Sequence, residues 1–168
     1  MAAAVPGLRR SLVVGFGNEL RGDDGLGPAV ARALRENGSD RRAQVDVVDL
    51  PQLDISLVPR LAMVELAVFV DARDDQRDEL VIRDRILPSG APQTPAFSSH
   101  TLGIGQLLRA ALDWYGSAPD CYLVAPKGYE FSIGDRLSSR AEGAVRAAVI
   151  EVEALVRGRV GESEPGRV

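Results

Sequence analysis

Three side chains of this 168-residue chain could do chemistry together: Asp24, Asp71 and His100, the last being its single histidine. Two carboxylates and one imidazole suit a divalent transition metal, with coordination positions left open for a further ligand. Open positions are what a catalytic or metal-sensing site needs. Each residue also has an ordinary use. Asp23 or Asp24 could cap a helix, since aspartate accepts from the free amides of a helix start. Asp71 could open a turn over 72–75, and a lone histidine often sits unengaged on a surface or in a core. Spacing alone does not show that the three meet.

Other chemistries find fewer parts. No Ser, Cys or Thr stands beside a second histidine or another evident base, so a nucleophilic triad is not assembled. Cys121 lies in an apolar strand, where a thiol is inert packing, and with no second cysteine it forms no internal disulfide. Gly15-Phe16-Gly17 after a first strand invites a dinucleotide-binding reading, but the third glycine would fall at Leu20. The following loop is also too long, and its two aspartates would repel a pyrophosphate.

The elements that must position the three side chains follow from periodicity. Ser11–Gly15 (SLVVG), Val45–Leu50 (VDVVDL), Leu66–Asp71 (LAVFVD) and Cys121–Ala125 (CYLVA) read as strands, mostly buried. Glu79–Ile86 alternates charge with Leu80, Ile82 and Ile86, which predicts a half-exposed edge strand. A helix with Pro28 in its first turn presents Val30, Ala33 and Leu34, and ends at Asn37-Gly38. Asp54–Met63 reads as a short helix weakened by Pro59, and Thr101–Tyr115 as a longer one. Ser139 with Glu142 predicts a capping box for a last helix ending near Arg157. Leu87–Ser99, with three prolines, reads as loop.

Strands separated by helices predict an α/β, three-layer sandwich, with a mainly parallel twisted sheet of about five strands and helices on both faces. The chain reads as one domain with an ordered core over about 11–157 and tails at 1–10 and 158–168. Ligands of such sheets gather at the carboxyl ends of the strands. Asp24 and Asp71 fall there.

Composition narrows the function classes. Hydrophobic residues make up 45% and charged residues 26%, a globular profile, with net charge −4 and Lys127 the only lysine. No basic stripe indicates nucleic acid as a partner. No apolar run reaches the ~20 residues of a membrane helix, and the N-terminal residues do not read as a signal peptide. A cytoplasmic protein is expected.

The segment Val13–Ala33 (VVGFGNELRGDDGLGPAVARA) resembles the opening of the hydrogenase maturation endopeptidases, where G-x-G-N-x-L-x-x-D-D/E-G-x-G follows the first strand. Val68–Ala72 is similar to that family's third strand with its terminal aspartate. Ser99–Gly103 is similar to the loop and helix start that carry its histidine, and Leu137–Ser139 also looks familial. The resemblance spans about residues 11–157. It implies removal of a C-terminal extension from a NiFe-hydrogenase large-subunit precursor after nickel insertion. It assigns metal-binding and catalytic roles to Asp24, Asp71 and His100, with nickel supplied by the substrate. Asn18 and Asp23 match the motif as well and are expected to order the loop through side-chain hydrogen bonds. One departure matters: where better-known members carry D-G-G-T after the second strand, this chain reads Asp49-Leu50-Pro51-Gln52-Leu53. That leaves open a different hydrogenase class, or a relative that chaperones or checks the nickel-loaded subunit without cutting it. His100→Ala and Asp71→Ala are expected to stop processing and leave the fold intact, as for surface polar positions.

Overall fold

Strand β1 (Ser11–Phe16) is apolar and almost wholly buried, so it needs neighbours on both edges and cover on both faces. A computed structural model describes residues 10–43, 45–90 and 103–158 and shows how these are supplied. β1 pairs in parallel with β2 (Val45–Leu50) on one edge and β3 (Leu66–Val70) on the other. β3 pairs in parallel with β5 (Asp120–Pro126), and β4 (Val81–Arg85) closes the far edge antiparallel to β5. The order is β2-β1-β3-β5-β4, the mainly parallel five-stranded sheet expected. β4 is the half-exposed edge the alternation predicts; its inner residues Val81 and Ile82 are half-buried and Asp84 and Arg85 face water.

Side-chain alternation divides the core into two slabs. Leu12, Val14, Ala67, Phe69, Cys121 and Leu123 pack with residues of α3 (Val58–Leu61) and α4 (Ile104–Tyr115). Val13, Val68, Val70 and Val124 pack on the other face with residues of α1 (Leu26–Glu36) and α5 (Ala141–Val156). At the carboxyl ends of the strands a small third cluster, Leu26, Ala72 and Ala141, lies beneath Phe131 and Leu137. No helix among the described residues is long and apolar enough to cross a membrane.

Several boundaries differ from the sequence expectations for local reasons. Asp54 accepts from the Ser56 amide and starts a 3-10 turn, Ile55–Leu57, that runs into α3 with Pro59 in its first turn. The expected helix is therefore two short pieces, because proline is tolerated only near a helix start. After α1, Gly38 takes a left-handed turn and the Asn37 side chain accepts from the Ser39 amide. That arrangement restarts the chain as α2 (Ser39–Ala43), which periodicity did not reveal. The Ser139–Glu142 capping box does not form. α5 begins at Ala141 behind Arg140 with no side-chain cap, and the Ser138 hydroxyl is engaged elsewhere.

The decisive packing is at the start of α1. A Cβ on Gly27 would lie 2.3 Å from the Phe16 carbonyl oxygen and 2.4 Å from that of Val70. One on Gly15 would lie 2.1 Å from the Gly27 oxygen. The helix start is thus pressed into the cleft between β1 and β3 by backbone contact that only glycine permits. The structure predicts that Gly27→Ala costs about 3 kcal/mol or more, since both obstacles are backbone atoms. Urea unfolding of the two proteins checks this, and an unchanged midpoint would contradict it.

Candidate metal and catalytic site at the strand ends

The sheet order places β2 on one side of β1 and β3 on the other, so the chain departs in opposite directions from these two strands. Such a switch point opens a crevice beyond the carboxyl ends of the strands. The loop after β1 fills one wall and the residue after β3 the other. Asp24 stands on the first, within the 3-10 turn Gly22–Gly25, and Asp71 immediately follows Val70 on the second.

The first loop folds through its own polar groups. Gly17, at a φ of 147°, brings its backbone against the Asp24 carbonyl, where a Cβ would sit 1.9 Å from the oxygen. The Asn18 amide donates to Asp24 Oδ2 at 2.9 Å, and the Leu20 amide donates to Asn18 Oδ1 at 2.9 Å. Neither aspartate caps a helix: α1 starts behind Gly25 without a side-chain cap. That ordinary reading of Asp23 and Asp24 is corrected.

Asp23 does something the sequence did not foreshadow in its extent. Its carboxylate is completely buried and reaches across more than a hundred residues of chain. It accepts from the amides of Tyr129 (2.8 Å), Glu130 (3.0 Å) and Ser138 (2.7 Å), and from the Ser138 hydroxyl (2.8 Å). Burial pushes its pKa up, but the Ser138 amide, the Tyr129 amide, the Ser138 hydroxyl and the Glu130 amide outweigh that, leaving it below the usual carboxylate value. Backbone pairing completes the junction: the Asp23 amide donates to Glu130 O (2.8 Å), the Gly22 amide to Gly134 O (2.9 Å) and the Gly134 amide to Leu20 O (3.0 Å).

Asp71 behaves oppositely. It is 8% exposed, and its pKa rises from 3.8 to about 8. Burial is the main cause, and the negative charge of Asp24 is the second; a hydrogen bond from the Ala72 amide opposes both. Asp24 is thus near enough for its charge to act on Asp71. Asp71 is not the surface position that the sequence suggested. His100 lies outside the described residues, so its relation to the two acids is not part of this geometry. Among the described residues no three potential ligands form a metal-holding group.

Two like-charged carboxylates, one of them desolvated, are chemically suited to a divalent cation, which would relieve both the repulsion and the cost of ionising Asp71. Asp24 and Asp71 would be two oxygen donors to such an ion. Cys121, by contrast, is buried in β5 and its thiol is pushed up by burial and by Asp120, as suits packing.

Sequence reasoning missed two contributors. Arg73 reads as an ordinary turn residue but is wholly buried, two residues after Asp71. The segment 128–138 carries Asp23's partners, and only Leu137–Ser139 gave any signal of its importance. A Cβ on Gly128 would lie 2.3 Å from the Phe131 ring and 3.1 Å from Asp23 Cβ, so a larger residue there would have to displace that ring.

The chain is thus an α/β sandwich with two acids beside its switch point, and solved structures narrow the fold further. No protein-family model matches the chain, and no curated protein matches it in sequence. The fold is similar to that of a NiFe-hydrogenase maturation protease from Thermococcus kodakarensis, at 23% identity and TM-score 0.69, covering 90% of this chain and 95% of that one. It is also similar to a hydrogenase maturating endopeptidase from E. coli, at 24% identity and TM-score 0.68, covering 89% and 93%. A hydrogenase 2 maturation peptidase from a Thaumarchaeota archaeon matches at 28% identity and TM-score 0.63, covering 87% and 97%. The fold of this chain is that of the hydrogenase maturation proteases, in agreement with the resemblance read from the sequence.

Two stability outcomes follow. Asp71 has a folded-state pKa raised above its unfolded value. Its contribution is thus fully present below pH 3.8 and lost as pH rises through about 8. Asp71→Asn should melt higher than the parent at pH 8, with the gap closing towards pH 4; parallel melting curves across that range would contradict this. Asp23→Ala should cost about 3–5 kcal/mol, because it strands several buried donors at once. Denaturant titration measures that cost.

Proposed function

We propose that this chain is a metal-dependent endopeptidase that removes the C-terminal extension of a NiFe-hydrogenase large-subunit precursor. The observation that supports the reading is the action of the Asp24 charge on buried Asp71 beside the β1–β3 switch point, within a fold shared with hydrogenase maturation proteases. In this reading the nickel arrives with the substrate, and Asp24, Asp71 and His100 grip it. A divalent ion there supplies polarisation of a scissile carbonyl or of an attacking water.

The chain's own groups have separable tasks. Asp24 is oriented by the Asn18 amide. Asp71 holds a proton near neutral pH and releases it when a positive charge is brought alongside, so ligation and deprotonation are coupled. His100 supplies the nitrogen ligand. An empty site thus carries a less reactive arrangement than a filled one, and arrival of nickel-loaded subunit licenses the cut. A cytoplasmic setting fits this role.

A second reading is kept by one feature. The segment after β2 departs from the family's glycine-rich pattern, and here Leu53 is buried and Asp54 caps a turn. The chain would then be a non-catalytic chaperone or checkpoint for the nickel-loaded subunit. Incubation of the pure protein with nickel-loaded precursor separates the two. A shortened subunit supports the peptidase, and a stable complex with an intact subunit supports the checkpoint.

Under the first reading His100→Ala and Asp71→Ala each reduce processing to background. Both variants should still unfold cooperatively, Asp71→Ala at no lower temperature than its parent above pH 8, since it sheds a buried acid. Cleavage at the parental rate by either variant would contradict the assignment.

A further inference from the structure

Arg73 is wholly buried, an uncommon fate for an arginine. Its Nε donates to the Ala125 carbonyl at 3.3 Å, one terminal nitrogen bonds the Asp75 carboxylate, and the other bonds the Glu79 carbonyl. The three acceptors belong to the end of β5, the loop after Asp71 and the approach to β4. Asp75 is in turn held by Arg77 Nε at 2.8 Å, and Lys127 Nζ donates to the Arg77 carbonyl. A buried ion pair contributes little net stability compared with apolar packing of the same volume. What a guanidinium adds is a rigid fork of donors that fixes several acceptors at once.

The backbone of the same residue links both halves of the site. The Asp71 amide donates to Val124 O (3.3 Å), and two residues on the Arg73 amide donates to Pro126 O (2.9 Å). The Gly128 amide then donates to Arg73 O (2.9 Å), and the next two amides, of Tyr129 and Glu130, are those that Asp23 accepts. Asp23 precedes Asp24. A path of alternating hydrogen bonds and covalent links therefore runs from one candidate ligand to the other, through the backbone of Arg73.

We propose that Arg73, with Asp75 as its charged partner, is the positioning residue of the site, setting the separation of Asp71 and Asp24 without touching substrate. This rests on the proposed peptidase reading for its functional consequence but not for its structural one. Misplacing a catalytic group by about 1 Å can cost on the order of 100-fold in rate, so a loosened fork is read chiefly in kcat.

The experiment compares the full-length parent with Arg73→Lys, which keeps the charge but lacks the fork, and with Val152→Ala as a control for general core destabilisation. Amide hydrogen exchange is followed at Asp71, Arg73, Gly128, Tyr129 and Glu130, beside steady-state processing of nickel-loaded precursor. The expected result is at least about tenfold faster exchange at those amides with α1 and α5 unchanged, and kcat lowered at least about tenfold with KM within about twofold. Val152→Ala should lose stability yet keep its kcat. Unchanged exchange, loosening spread evenly over the molecule, or a parental kcat in Arg73→Lys each overturns the proposal. If Arg73→Lys fails to fold, Asp75→Asn is read by the same criteria. If the parent itself cuts no precursor, the peptidase reading fails, and selective loosening alone then decides the positioning role.

Discussion

The buried carboxylate of Asp23, together with backbone pairing, joins two stretches of chain that lie more than a hundred residues apart. Its four hydrogen bonds fasten the loop after β1 to the segment before α5. A desolvated carboxylate is tolerable only when it is so well satisfied, and removing it would leave its donors stranded in a water-poor junction. Everything at the strand ends is built around that clamp. It holds the 3-10 turn in which Asp24 sits, beside the segment whose Phe131 and Leu137 pack on the small apolar cluster of Leu26, Ala72 and Ala141.

Against this richly bonded acid the structure sets one with fewer donors. Asp71 is buried at the same edge and receives too little stabilisation to stay ionised near neutral pH, with Asp24 adding repulsion. The contrast separates structural from chemical use of carboxylates within a few residues. Asp23 has its charged form favoured by donors, whereas Asp71 is held in a state that a cation would change. Groups whose environments push their pKa away from the ordinary value are what functional sites collect.

The cost of such a site is carried by close backbone packing. Gly15 and Gly27 let α1 enter the cleft between β1 and β3, and Arg73 ties the far wall to β5 and to the approach to β4. Neither device adds side chains to the crevice. Both bear on where the crevice is and how wide it stays.

The sequence by itself determined the sandwich, because five short apolar or alternating runs, separated by helical periods, have few other ways to bury their faces. It also placed Asp24 and Asp71 at strand ends, since strand boundaries are local properties of composition. Only the tertiary structure decided what each acid does. Asp23 and Asp24 are adjacent and identical in type, and their opposite destinies depend on partners at 129–138 that no local pattern connects to them. Likewise Asp71's burial and Arg73's seclusion follow from the order β2-β1-β3-β5-β4, which brings β5 and β4 alongside. Burial and electrostatic pairing are properties of the assembled sheet, so a reading along the chain names the acids but does not assign their charge.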